Sequence, residues 1–113
     1  MENRDRLRLV HILEACRAIS HYIEGLGRED FINDPKTRDA IIYQLIIIGE
    51  AVIRTDYDLL EKYDYPWFKI RAFRNYATHE YFNIETWTVW DVAYIHIPEL
   101  EKVVEGIMVN EFK

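Results

Sequence analysis

Arg74, Asn75, His79 and Tyr81 are the residues of this chain whose types and spacing could do chemistry together. A histidine, with an ordinary pKa of about 6.5, can take or give a proton near neutral pH. An arginine presents a planar fork of donors to a phosphate and can stabilise charge on a phosphorane. Asn75 and His79 are four apart, so a helix puts them on one side, where Asn75 can orient His79 or bind a phosphate oxygen. Arg74 and His79 are five apart and diverge by roughly 140° on an ideal helix. They converge more easily if His79 lies at or past the helix end, and Tyr81 follows near the same mouth. Such a set suits cleavage of RNA without a metal, because the 2′-hydroxyl of the substrate supplies the nucleophile. One His79 per chain gives an acid or a base, and a symmetric dimer would supply both. An ordinary structural reading stands beside this one: helix ends with Arg, Asn and His are common, and Arg74 can simply pair with an acid.

Other residues carry weaker signals. Glu50 is expected to face inward after Gly49, either as a polar partner for the site or in an interface hydrogen bond, with Gly49 allowing close helix packing. Arg71 lies on the same side of its helix as Arg74 and could support the site. His11, His21 and His96 have no metal-ligand spacing with an acid or cysteine, so neither a metal nor another cofactor is expected. Cys16 falls on an apolar stripe and reads as a small hydrophobe. Arg4, Arg6 and Arg8 read as a solvated face, with an extension of an RNA path as the alternative.

Helices must position these residues. Leu9, Ile12, Leu13, Cys16, Ile19 and Ile23 recur at spacings of three and four and predict a first helix from about Asn3 to Glu24, ended by Gly25 and Gly27. Arg28 to Asn33 is a link with one helical turn. Asp34 as N-cap and Pro35 at the first position start a second helix that reaches about Thr55. Its β-branched centre, Ile41 to Ile48, could be a buried strand, but the apolar pattern continues through Ala51, Val52 and Ile53, which favours a helix. Being apolar nearly all round, that helix should be buried on more than one side, which points to a dimer interface added to the core. A short helix is expected over Asp58 to Tyr63, and Pro66 restarts the chain at or near the first position of the third main helix. Asn83 is expected to cap the last helix, with Glu85 in its first turn. Trp87, Trp90, Tyr94 and Ile97 form its apolar stripe, which resumes after Pro98, so Pro98 should kink this helix without ending it. The expected fold is all-α: an antiparallel four-helix bundle with short extra helices, homodimeric, in one domain spanning residues 1–113.

Composition narrows the function class. Half of the 113 residues are hydrophobic and only four are Gly and three Pro, which excludes disorder and disfavours a turn-rich β fold. The apolar run from Ala40 to Ile53 is too short to span a bilayer and is broken by Gln44, Gly49 and Glu50. A single cysteine and a charged start, Met1 to Arg6, with no leader pattern suit the cytoplasm. The net charge of −6 argues against an extended duplex-binding surface. Yet Tyr65 to His79 holds Lys69, Arg71 and Arg74 and no acid, a local +3, so the rest carries −9. A basic island on an acidic body suits a local phosphate site.

The run Arg74-Asn75-x-x-x-His79-x-Tyr81 resembles the Arg-x4-His-x-Tyr motif of HepT-like proteins in the HEPN superfamily. Ile48-Gly49-Glu50-Ala51, the lead-in from Trp67 to Asn75 and the Trp90-Asp91…Pro98-x-Leu100 pattern are similar to further stretches of that family, so the resemblance covers nearly the whole chain. It implies a HEPN bundle, dimeric with composite sites in the interface cleft, and metal-independent endoribonuclease activity as the toxin of a toxin–antitoxin pair. It also implies RNA as substrate, with transfer RNA the family's suggestion. A cognate MntA-like minimal nucleotidyltransferase antitoxin is implied, which would neutralise the chain by nucleotidylation (AMPylation) of Tyr81 and could join it in a larger hetero-oligomer. The negative charge and bulk so added would sit beside Arg74 and His79. A second class of function stays open: a non-catalytic nucleotide-binding or regulatory subunit of a nucleotidyltransferase.

Overall fold

The computed structural model describes residues 3–112; Met1 and Glu2 of the charged start, and Lys113, lie outside the described residues. Helix α1 (Asn3–Tyr22) buries Leu9, Ile12, Leu13, Cys16 and Ile19 along one stripe. It ends two residues before Glu24, and Gly25, with φ at +79°, takes a left-handed conformation that other residues rarely adopt. The single turn expected next is α2 (Arg28–Ile32), which seats a fully buried Phe31 against Trp90, ring centroids 5.3 Å apart.

Helix α3 (Pro35–Arg54) starts where Asp34 and Pro35 predict. The Asp34 carboxylate accepts from the Thr37 backbone N–H at 3.2 Å and from the Thr37 hydroxyl at 2.6 Å. It runs antiparallel to α1. Arg8 donates to the Arg54 carbonyl at one end, and Gln44 donates to the Tyr22 hydroxyl at 3.3 Å at the other. At the same end as Arg8, the buried Asp5 accepts from the Asp56 backbone N–H at 3.1 Å, which satisfies a donor at the start of α4 (Tyr57–Glu61).

Helix α5 (Trp67–His79) begins after Pro66, which is its N-cap rather than its first helical residue. Trp67 is buried, and its indole N–H donates to the Tyr63 carbonyl at 3.3 Å. A 3-10 turn (Tyr81–Asn83), α6 (Thr86–Asp91), a π-helical turn (Val92–His96) and α7 (Ile97–Glu111) complete the chain. Asn83 does not cap α6. It sits inside the 3-10 turn, its side chain donates to Glu80 at 2.7 Å, and Glu85 takes the cap position. The reason is Ile84, which is buried in extended backbone, so the helix cannot start until the chain has passed it. Pro98 lies in the first turn of α7, directly after the π turn. A wider turn takes up the missing N–H and the clash that proline imposes on a regular helix, so the helical path continues through it.

The core lies where α1, α3 and α7 meet, with Ile12, Ile19, Ile41, Ile48, Val104 and Ile107 among its fully or nearly fully buried side chains. Helix α5 packs on α3. Among the described residues all regular structure is helical, and no helix is long and apolar enough to cross a membrane.

Candidate active site

The site begins with a glycine. A Cβ at Gly49 would lie 2.4 Å from the Arg74 Cβ, so α5 can approach α3 this closely only because position 49 has no side chain. That contact plants Arg74 beside Glu50. The Arg74 Nε–H donates to Glu50 Oε1 at 2.5 Å, and Nη2 pairs with the same carboxylate oxygen. On the other side Nη1 donates to Asn75 Oδ1 at 2.9 Å. Of the five N–H donors of a guanidinium, these partners engage three. One N–H on each terminal nitrogen is left for a ligand, in the fork that suits a phosphate.

Glu50 does not cancel the local positive charge, because it is shared. Arg54 also reaches it, at 3.5 Å. The Arg74 hydrogen bond, then the charges of Arg74 and Arg54, hold the Glu50 carboxyl below the usual carboxylate range against the opposing effect of burial. Two guanidinium groups around one carboxylate leave an excess of positive charge where a phosphate would sit.

His79 is the last residue of α5 and is exposed, and its side chain has no bonding partner among the described residues. Asn75 turns its side-chain oxygen to Arg74, and no side-chain bond joins it to His79. Arg74 faces α3 while His79 stands at the helix end, and no hydrogen bond joins them within one chain. The five-residue spacing already implied that divergence. Arg71 points elsewhere, with its guanidinium 5.0 Å over the Tyr57 ring.

Tyr81 lies in the 3-10 turn, and its hydroxyl donates to Asp39 Oδ1 at 2.6 Å. Arg38, next to it on α3, reaches Asp39 at 3.1 Å, donates to the Ile84 carbonyl at 2.7 Å, and stands 5.8 Å from the Tyr81 ring centroid. The Asp39 hydrogen bond, helped by burial and the Asp39 charge, pushes the Tyr81 hydroxyl above its ordinary pKa. Sequence reasoning missed Arg38 and Asp39. The antiparallel run of α3 against α5 was the available signal: with Gly49 opposite Arg74, the start of α3 must lie near Tyr81.

The remaining candidates lie apart from this site. His11, His21 and His96 are exposed, and His96 pairs with Glu99 at 3.0 Å. Burial pushes the Cys16 thiol up to about 12, which makes it a packing residue and no nucleophile. Among the described residues no three His, Cys, Asp or Glu side chains gather as a metal-ligand set. An apolar cavity of about 300 Å³ lies between α3, α5 and the π turn, lined by Leu45, Ile48, Tyr65, Phe73, Val92 and Leu100 among others, and includes neither Arg74 nor His79.

The family profile described as Ribonuclease HepT-like matches residues 12–107, which includes every residue of the site. The chain belongs to this family. HepT-like relatives extend over most of its length. It is 38% identical over 104 residues to a protein of Caldanaerobacter subterraneus subsp. tengcongensis that is named as a candidate RNase, covering 91% of this chain and 93% of that one. It is 35% identical over 101 residues to a similarly named protein of Methanocaldococcus jannaschii, covering 88% and 84%. A protein of Thermococcus cleftensis named as a probable ribonuclease HepT is 34% identical over 95 residues, covering 82% and 86%. No solved structure matches the chain significantly.

Proposed function

We propose that this HepT-like chain is a metal-independent endoribonuclease toxin that acts as a homodimer. In this reading α1, α3, α5 and the α6–α7 path form the four-helix bundle of a single domain. The observation that carries the proposal is the Arg74 guanidinium, tethered by Glu50 and Asn75 with two N–H groups left over, on the same helix as a His79 whose side chain has no partner among the described residues. The names of the relatives support RNA as the substrate class, and transfer RNA is the first RNA to try.

The chemistry follows from the groups available. One His79 takes the proton of the RNA 2′-hydroxyl, and the 2′-oxygen attacks the adjacent phosphorus. The Arg74 forks hold the phosphorane charge. The second His79, protonated, gives its proton to the departing 5′-oxygen. The products are a 2′,3′-cyclic phosphate and a 5′-hydroxyl. Two His79 are needed in one cleft, so the site is complete only in a dimer. The outward face of α3 supports that dimer: Tyr43 is 64% and Ile53 41% exposed, and Ile46 and Ile47 are only partly buried, all beside Glu50. Tyr81 serves as the switch. A nucleotidyl group placed there by a minimal nucleotidyltransferase antitoxin adds charge and bulk at the mouth of the site.

Purified wild-type protein should cut RNA, and Arg74→Ala and His79→Ala should each slow cleavage by about 100-fold or more, the scale of a lost acid–base or oxyanion-type group. Unchanged cleavage by both variants would overturn the proposal. A wild-type dimer that cuts nothing yet binds the nucleotidyltransferase tightly would make the chain a regulatory subunit instead.

A further inference from the structure

We propose that Asp39 is the base that takes the proton of the Tyr81 hydroxyl when a nucleotidyl group is transferred to that oxygen. The inference rests on the reading of Tyr81 as the modified residue.

The geometry is that of a base already in contact with its acid. The Tyr81 hydroxyl donates to Asp39 Oδ1 at 2.6 Å, the distance of a charge-assisted O–H···O⁻ bond. The Asp39 side chain is 55% exposed, so a proton received there can pass on to water. The turn that carries Tyr81 is held in register, because Arg38 ties the Ile84 carbonyl to α3 at 2.7 Å and the buried Ile84 side chain anchors the end of the turn. The charged groups that face the hydroxyl are Asp39 and Arg38, both from α3.

Chemistry requires such a base. A free phenol with a pKa of about 10 is roughly 0.1% ionised at pH 7. The hydrogen bond to Asp39 lowers that fraction further, since it favours the neutral phenol. Reaction through a preformed phenolate is therefore suppressed at Tyr81, and proton removal has to accompany attack. The donor is a magnesium nucleoside triphosphate held by the nucleotidyltransferase. The Tyr81 oxygen bonds to the α-phosphorus, the bond from that phosphorus to the bridging oxygen breaks, and pyrophosphate leaves with the electron pair. The phenolic proton goes to Asp39 and then to water. Arg38, 3.1 Å from Asp39, offsets the negative charge that arrives with the phosphoryl group.

A bond that merely pins the turn to α3 would look the same at rest, and kinetics separate the two. The dimer is incubated with ATP, magnesium and a minimal nucleotidyltransferase, and the mass of the Tyr81 peptide is followed from about pH 6 to 9. Wild type should acquire nucleotide on Tyr81. Asp39→Asn should be at least tenfold slower near pH 7, and its disadvantage should shrink about tenfold per pH unit, because only the growing phenolate fraction then reacts. Asp39→Glu, which keeps a carboxylate, should restore part of the rate and the wild-type pH profile, and it carries the test if Asp39→Asn fails to fold. Equal rates for wild type and Asp39→Asn at every pH overturn the role of Asp39 and leave Tyr81 as the modified residue. A wild-type chain that gains no mass on Tyr81 overturns both.

Discussion

Arg74 is useful to a phosphate because its neighbours leave part of it free. Glu50 and Asn75 fix the guanidinium plane, and Arg54 shares Glu50, so orientation is gained without losing the positive charge. Side-chain types singled out Arg74, Asn75, His79 and Tyr81 as candidates, but the four-residue spacing of Asn75 and His79 did not make them partners, because the Asn75 side-chain oxygen turns to Arg74. Arg38 and Asp39 were not legible. Asp39 meets a partner 42 residues away, and an acid near the start of a helix reads as a solvated, dipole-favoured residue. The Arg74–Glu50 ion pair sets a pH dependence. Glu50 titrates below the usual carboxylate range when folded, so its contribution is present at neutral pH and is lost as the pH falls through that lowered value. Asp34 and Glu111 are shifted the same way, by Thr37 and by Tyr63. The melting temperature should therefore be flat around neutrality and fall below about pH 4, the region of free carboxylates. Glu50→Gln should remove part of that acid-side loss, and an identical profile for the variant would show that the pair carries none of it.

Gly49 decides how near α5 comes to α3, and that approach places Arg74. Gly49→Ala should gain up to about 1 kcal/mol of helix propensity but lose about 1–3 kcal/mol to overpacking against Arg74, a net destabilisation with displaced Arg74 and slower cleavage. Thermal or urea unfolding checks the first effect and RNA cleavage the second; a variant as stable and as active as wild type would contradict the packing argument. At this scale the helices with strong end signals were readable, as Asp34-Pro35 and Gly25 show. Asn83 misled, because a good N-cap type preceded a buried Ile84 that holds the chain extended. The π turn over Val92–His96 left no mark in composition, since it changes hydrogen-bond spacing and not residue type; Pro98 hinted only that something must bend.

Across the molecule, Arg74 and Arg54 gather on Glu50 in a chain of net charge −6, and the exposed apolar face of α3 borders that place. Periodicity showed that α3 was too apolar for a single packing side, but its unburied face becomes visible only once α1 and α5 are docked on the others. Tyr43→Asp puts a charge on that face without touching the core, so it should give a folded monomer by sedimentation that no longer cuts RNA; a fully active monomer would remove the need for two His79. The most direct measurement of the whole account is the identity of the RNA ends produced by the purified dimer in the presence of a metal chelator. The account predicts continued cleavage with 2′,3′-cyclic phosphate and 5′-hydroxyl termini, lost on substituting 2′-deoxynucleotides at the cut and lost in His79→Ala. Cleavage that leaves 5′-phosphates, or that proceeds equally on the deoxy substrate, would contradict it.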